Sequence, residues 1–155
     1  MRAALDVVDA EWVLVHDGAR PLVTEELIRR GLAAARATGA AIAAVPVTDT
    51  IKVVSGGRVT ATPAREGLWA AQTPQVFKRS LLADAHRLGV SATDDAALVE
   101  ALGVEVRVFE GAYGNIKVTS ETDLQRVRLA RQATEPVSPG GSIFGAPGAA
   151  RGDER

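Results

Sequence analysis

Residues 12–21 read WVLVHDGARP. Trp12 to Val15 is a short continuous apolar run rich in β-formers, and it stops at a histidine, an acid, a glycine, an arginine and a proline. Such a run suits a strand buried on both faces, as in a parallel sheet. The residues that follow decide the class. Thr24 is a good helix N-cap, and Glu25 and Glu26 suit the positive end of a helix dipole. Leu27, Ile28, Leu32 and Ala35 then form a helical stripe running to Gly39, a C′ glycine. Residues 41–47, AIAAVPV, read as the next buried strand. Strand, helix and strand with short links make a βαβ unit, so the expected class is α/β.

Before this unit, RAALDVV (2–8) has helical spacing, with Leu5 and Val8 on one face. After it the pattern breaks. Between residues 48 and 67, two short β-prone runs, Ile51–Val54 and Val59–Ala61, flank Ser55-Gly56-Gly57-Arg58, a hairpin signal. Such a hairpin has little apolar surface to bury by itself, and an isolated hairpin is marginal in water. It is expected to project and to pack on something else, most simply a second copy of the chain. LWAAQTPQVF (68–77) reads as a strand to Thr73 that Pro74 stops, and Ser80–Leu88 as a helix. Thr93 caps a further helix with Asp94 and Asp95 in its first turn and Gly103 beyond its end. VEVRVFEG (104–111) alternates, with Val104, Val106 and Val108 on one side, so it reads as a half-buried peripheral strand. NIKVT (115–119) reads as a short strand, and Ser120 with Asp123 as a capping pair opening a last helix to about Arg131. The last 22 residues hold 8 Pro or Gly, the composition of a disordered tail. The expected division is therefore an α/β domain over 1–133, with an arm at about 47–67, and a tail over 134–155.

The 155 residues suffice for one domain with a real core. Apolar residues make up 46% and charged residues 24%, with a net charge of −1 and no Lys/Arg block, which argues against nucleic-acid binding as the main activity. No cysteine is present, which excludes disulfides and thiolate chemistry, and two histidines 70 positions apart do not suggest a histidine metal site. No apolar run approaches the ~20 residues that span a bilayer. The N-terminus is too short and polar for a signal peptide, so the expected location is the cytoplasm, with no membrane partner.

Asp17-Gly18-Ala19-Arg20-Pro21 lies at the C-terminal end of a buried strand, where open α/β sheets bind ligands. Gly18 allows close backbone approach, Arg20 can make a bidentate contact to phosphate, and Asp17 can accept from sugar hydroxyls or hold a metal. A solvated turn with a local Asp–Arg pair is the alternative. Thr48-Asp49-Thr50 reads first as a turn, and Arg65, between Pro63 and Gly67, as a surface arginine. Gln72-Thr73-Pro74-Gln75 ends an apolar strand with polar groups, either a satisfied turn or a hydroxyl in reach of a ligand. Lys117 points to solvent or, at a strand tip, meets a phosphate. Trp69 and Phe77 read as core, His16 and His86 as structural or exposed. Cationic groups with hydroxyls and one carboxylate suit phosphate handling by positioning and electrostatics.

Five phrases carry a resemblance: VLVHDGARP, PVTDTIK, REGLWAAQTPQVF, TDDAALVEALG and GNIKVTSETDL. In this order, over roughly residues 2–131, they resemble the 2-C-methyl-D-erythritol 4-phosphate cytidylyltransferase family. The related ribitol-5-phosphate cytidylyltransferases share the fold but lack the Leu68-Trp69 pair. The resemblance implies a three-layer Rossmann-like nucleotidyltransferase sheet with a projecting β-hairpin dimerisation arm. It also implies a reaction, in which the methylerythritol phosphate attacks the α-phosphorus of CTP, pyrophosphate leaves and magnesium neutralises the triphosphate. By resemblance, Asp17, Arg20, Thr73 and Lys117 line the methylerythritol phosphate site. Thr50 and Arg65 reach it from the neighbouring subunit of a homodimer on the hairpin arm. Arg65 and Lys117 hold the attacking phosphate and are the expected catalytic residues.

One departure is marked. The family begins with a strand and a glycine-rich loop, carrying Arg and Lys, that cradles the CTP triphosphate. Here the Gly-Gly pairs are Gly56-Gly57 and Gly140-Gly141, and neither follows a buried strand and opens a helix. With the N-terminal strands missing, Trp12–Val15 is expected to be an unpaired apolar edge, and the chain alone is expected to be inactive. Val and an initiator Met can share a GTG codon, so Met1 is expected to be an internal valine codon. The competing expectations are a short non-catalytic domain that binds a sugar phosphate or a partner, and a ribitol-5-phosphate cytidylyltransferase, which Leu68-Trp69 disfavours.

Overall fold

A computed structural model describes residues 2–134. The elements run α1 (Arg2–Val7), β1 (Trp12–Val15), α2 (Glu25–Ala35), β2 (Ala40–Pro46), β3 (Val53–Ser55), β4 (Arg58–Ala61), β5 (Trp69–Lys78), α3 (Arg79–Arg87), α4 (Asp95–Glu100), β6 (Arg107–Glu110) and α5 (Glu121–Thr134). Four strands form the main sheet in the order β1-β5-β2-β6, and β3 and β4 form a separate ribbon. β5 lies antiparallel to both β1 and β2, while β6 runs parallel to β2.

The layering follows from the two-residue period of strands. On β5, Phe77 points into one apolar cluster and Val76 into another; on β2, Ala40 enters the first cluster and Ala41 and Ala43 the second. The first cluster contains Leu5 of α1, Leu82 and Ala85 of α3, and Ala96, Leu98 and Val99 of α4. The second contains Leu27 and Ala35 of α2 with Phe109 of β6. Helices thus cover both faces of the sheet, which is a three-layer α/β arrangement.

Small residues set the layer spacing. Ala40, Ala41, Ala43 and Ala44 of β2 are all buried, and Gly31 of α2 sits so close to the sheet that a Cβ there would lie 2.8 Å from Phe109 Cζ and 2.8 Å from Val76 Cγ2. α2 begins where expected, with the Thr24 hydroxyl accepting from Leu27 N, but it ends earlier than expected, at Ala35 with Arg36 as C-cap; Gly39, whose φ of 90° is readily available only to glycine, instead turns the chain into β2. The ribbon turns through Gly56 and Gly57, with φ of 56° and 74°, the positive pair that two-residue hairpins favour. α5 opens with the expected pair: Asp123 N–H donates to Ser120 Oγ, and Ser120 N–H donates to Asp123 Oδ2.

Several expectations are corrected. β1 is not buried on both faces inside a parallel sheet; it is a half-buried edge strand paired antiparallel to β5, with Leu14 exposed. Pro74 does not stop β5. The β2–β5 ladder steps from Ile42↔Gln75 to Ala44↔Ala71, so Pro74 sits in the irregularity, where its missing N–H takes no bond from the ladder. Asp94, not Thr93, is the N-cap of α4, its carboxylate accepting from Ala97 N. β6 is shorter than expected and buries Phe109 rather than Val108, although Val104 and Val106 do pack on the first cluster. Residues 115–119 form no strand, and Trp69 is 46% exposed rather than core. Phe77 is fully buried as expected. The segment read as a tail lies outside the described residues except for Thr134. Among the described residues no helix is long and apolar enough to cross a membrane.

The close approach of α2 yields a measurable expectation. Gly31→Val should destabilise the protein by about 1–3 kcal/mol, because Phe109 and Val76 leave no room for the added atoms. A urea midpoint equal to or above that of the wild type would show that α2 does not pack this tightly, since helix propensity alone favours replacing a mid-helix glycine.

Candidate functional site

The polar cluster forms where β1 ends beside the middle of β5. The chain turns at Asp17, with Arg20 N–H donating to Asp17 O at 2.9 Å, and Gly18 has open space around it. Asp17 N–H donates to Thr73 Oγ1 of β5 at 3.0 Å. The Asp17 carboxylate takes two cations on one oxygen: Lys117 Nζ stands 3.1 Å from Oδ2 and Arg20 Nε 3.3 Å. Asp17, Arg20, Thr73 and Lys117, up to 100 positions apart in sequence, are thereby brought together.

The cations differ in freedom. The Arg20 side chain is only 11% exposed and its Nη1 donates to Asn115 O at 2.8 Å, so its position is set. The Lys117 side chain is 49% exposed and can swing to a second anion. Partial burial pushes the Asp17 carboxyl pKa up, but hydrogen bonding and charge from Lys117, then Arg20, outweigh it and hold the pKa below the ordinary 3.8. At neutral pH this trio carries one excess positive charge in a half-buried setting, which suits an anion such as phosphate.

Three further residues, His16, Asn115 and Gln72, organise the cluster. His16 Nδ1 lies 3.0 Å from Thr73 Oγ1, and its Nε2 lies 3.0 Å from Arg20 O. Asn115, fully buried, donates from Nδ2 to Thr73 O at 2.7 Å, while its Oδ1 is buried without a hydrogen-bond partner. Gln72, also buried, accepts from Ala112 N and donates to Ala112 O. Together these bonds fasten the 111–117 loop, which carries Lys117, to β5. Gly111 fits tightly at this junction, because a Cβ there would lie 2.5 Å from Gln72 Oε1 and 3.0 Å from Ala44 O. The Gly-Asn dipeptide before Lys117 is the visible signal for the loop; a buried amide bridging distant segments leaves none.

Thr50 and Arg65 are not in the cluster. Both are exposed at the foot of the ribbon, where Arg65 Nη1 donates to Thr48 O at 2.5 Å. Among the described residues, neither shares a hydrogen bond or ion pair with the cluster within this chain. His86 bonds Asp95 at 2.7 Å between α3 and α4 and is structural.

The magnesium implied by the resemblance finds no set of protein ligands here. Among the described residues no three His, Cys, Asp or Glu side chains converge on a metal position, and the one carboxylate of the cluster already pairs with two cations. A separate apolar cleft between α1 and β1, lined by Leu5, Val8, Trp12 and Leu14 among others, offers no charged or hydroxyl group to orient a polar substrate.

The electrostatics set a titration. By NMR, the Asp17 carboxyl should titrate below an ordinary aspartate, and Lys117→Met should raise its pKa. Because the folded-state pKa is the lower one, the network stabilises the fold above the unfolded-state value, about pH 3.9, and that contribution disappears as pH falls through the folded value. An Asp17 pKa indifferent to Lys117→Met would mean that the ion pair is not populated.

Comparison with known proteins extends these observations. Residues 1–130 match the family model "IspD: 2-C-methyl-D-erythritol 4-phosphate cytidylyltransferase". The 2-C-methyl-D-erythritol 4-phosphate cytidylyltransferase of Desulforamulus reducens is 54% identical over 121 residues, covering 75% of this chain and 52% of the relative. That of Syntrophotalea carbinolica is 49% identical over 125 residues, covering 78% and 54%. Among solved structures, the enzyme of the same name from Thermus thermophilus superposes with a TM-score of 0.77 at 40% identity, covering 84% of this chain and 67% of the other. The bifunctional IspDF of Campylobacter jejuni superposes at 0.70 with 30% identity, covering 81% and 32%. The chain spans about half the length of the curated relatives it matches. On the family match and these identities, the chain belongs to the 2-C-methyl-D-erythritol 4-phosphate cytidylyltransferase family.

Proposed function

We propose that these residues form the acceptor side of a cytidylyl transfer in isoprenoid biosynthesis. A phosphate oxygen of 2-C-methyl-D-erythritol 4-phosphate attacks the α-phosphorus of CTP. The bond from that phosphorus to the bridging oxygen breaks, and pyrophosphate leaves with the diphosphocytidyl product formed. The observation that carries the reading is the convergence of Asp17, Arg20, Thr73 and Lys117 on one half-buried, net-positive cluster.

The roles follow from geometry and charge. Arg20 is pinned by Asn115 O and Asp17, so it acts as a fixed positive wall. Lys117 reaches the acceptor phosphate by exchanging one oxyanion, Asp17, for another, so no bare charge is created. Asp17, released from Lys117, accepts from hydroxyls of the sugar alcohol. Holding the phosphate in line for attack is the main contribution these residues can make, since no covalent step needs them.

Thr50 and Arg65 are assigned to the partner's site in a homodimer. The ribbon supports this, because every residue of β3 and β4 is exposed, Val53, Val54 and Val59 among them, and apolar surface of this kind calls for cover. Magnesium is assigned to the triphosphate rather than to protein carboxylates, and no step here is routed through it. A glycine-rich triphosphate loop is not among the 155 residues, so this chain alone is assigned binding of the acceptor without turnover, in the cytoplasm.

Calorimetry on the 155-residue chain tests the reading. It should bind 2-C-methyl-D-erythritol 4-phosphate, and Lys117→Ala should weaken binding about tenfold to a hundredfold, the range for one charge-assisted contact. Arg65→Ala should weaken the same ligand, and in a chain extended to carry a CTP site it should leave CTP affinity nearly intact. Val54→Asp with Val59→Asp should convert a dimer to a monomer in sedimentation. A chain that ignores the acceptor phosphate, or an Arg65→Ala effect confined to CTP, would overturn the assignment.

A further inference from the structure

We propose that His16 is a positioning residue: it takes the hydroxyl proton of Thr73, so that Thr73 recognises a hydroxyl group of the bound molecule and not its phosphate. The inference rests on the acceptor-site reading above and deepens it.

It is a matter of hydrogen-bond accounting. His16 Nε2 faces a carbonyl oxygen, Arg20 O, at 3.0 Å. A carbonyl only accepts, so Nε2 carries the proton. In the neutral ring the other nitrogen, Nδ1, is then an acceptor. Nδ1 lies 3.0 Å from Thr73 Oγ1, so the hydroxyl proton of Thr73 is directed to it. The same oxygen already accepts from Asp17 N–H at 3.0 Å. A threonine hydroxyl has one proton and two lone pairs, so one lone pair is left. That lone pair can receive a hydroxyl proton, whereas a deprotonated phosphate oxygen has none to give.

The consequence is a division of labour within the cluster. Lys117 and Arg20 attract the anionic end of a ligand; Thr73 and the Asp17 carboxylate present acceptors to its hydroxylated end. Discrimination of this kind is strong, because a site built around a ligand hydroxyl leaves its own polar groups unpaired when that hydroxyl is missing. A phosphate turned the wrong way would meet the lone pair of Thr73 and be repelled.

The first test is spectroscopic and needs no ligand. Long-range 1H–15N correlation spectra of the wild-type chain, above the pH at which imidazoles ordinarily protonate, should show His16 protonated at Nε2 and bare at Nδ1, with His16→Gln assigning the signals. The opposite tautomer would overturn the proposal.

The second test is binding. His16→Phe should weaken 2-C-methyl-D-erythritol 4-phosphate about tenfold, the loss of one oriented hydrogen bond, while His16→Gln, which offers an amide oxygen to the same hydroxyl, should stay within about threefold of the wild type. Inorganic phosphate should bind all three proteins alike. If phosphate weakens in step with the polyol phosphate, His16 merely holds the loop and the proposal fails. If the wild-type chain shows the expected tautomer but does not bind the polyol phosphate, the acceptor-site reading falls, and the recognised hydroxyl with it. The His16–Thr73 orientation then stands on the spectrum alone.

Discussion

The middle of β5 obliges the rest of the structure to come to it. Gln72 and Gln75 are buried in a strand whose neighbours supply mainly apolar contacts, and Thr73 is half-buried between them. A buried polar group without a partner costs about 1–3 kcal/mol, so each must be met by something outside the sheet. Gln75 is met by the start of α4, donating to Asp94 and accepting from Ala96 N. Gln72 is met by Ala112 and Asn115 from the loop after β6. Thr73 is met by His16 and Asp17 from the end of β1. Three segments are thereby fixed relative to one strand, and two of them also bond each other through Arg20 to Asn115 O and Lys117 to Asp17.

The candidate site is a by-product of the same requirement. The loop that satisfies Gln72 carries Lys117, and the turn that satisfies Thr73 carries Asp17 and Arg20. Charges placed at the ends of these segments converge because the segments themselves are anchored a few residues away. The anchoring bonds are mostly part-buried and hold the segments in place, while Lys117 stays half-exposed and able to change partner. Rigid support under a movable cation is what a site needs if it is to take up an anion without leaving a charge uncompensated.

The main sheet and the ribbon differ in kind. The sheet is packed on both faces, with β2 rich in buried alanine and Gly31 of α2 close against Phe109 of β6 and Val76 of β5. The ribbon has no such cover among the described residues, and its geometry depends on the two glycines at its tip and on the bonds at its foot, Val47 N–H to Leu68 O and Leu68 N–H to Arg65 O. β1 has a third character. It is an edge in this sheet, its apolar side chains only partly covered by α1.

Much of this was legible in the sequence because it is local. Thr24 as a cap, Gly56-Gly57 as a hairpin turn and Ser120 with Asp123 as a capping box depend on residues within a few positions, and each formed as its local chemistry dictates. The α/β class was legible from apolar periodicity, and the clustering of Asp17, Arg20, Thr73 and Lys117 entered through family phrases rather than through spacing. Tertiary structure decided what no local rule can reach. Pro74 continues a strand because an irregularity in the neighbouring ladder leaves its missing N–H without consequence. Trp69 is exposed with the whole of the first three residues of β5, and Phe109 rather than Val108 is buried because the close approach of α2 lies on its side. His16 and Asn115 became organisers of the site only when β5 brought a hydroxyl and two carbonyls to them. Hydrogen-bond partners more than 40 positions away along the chain are chosen by packing, and only packing reveals them.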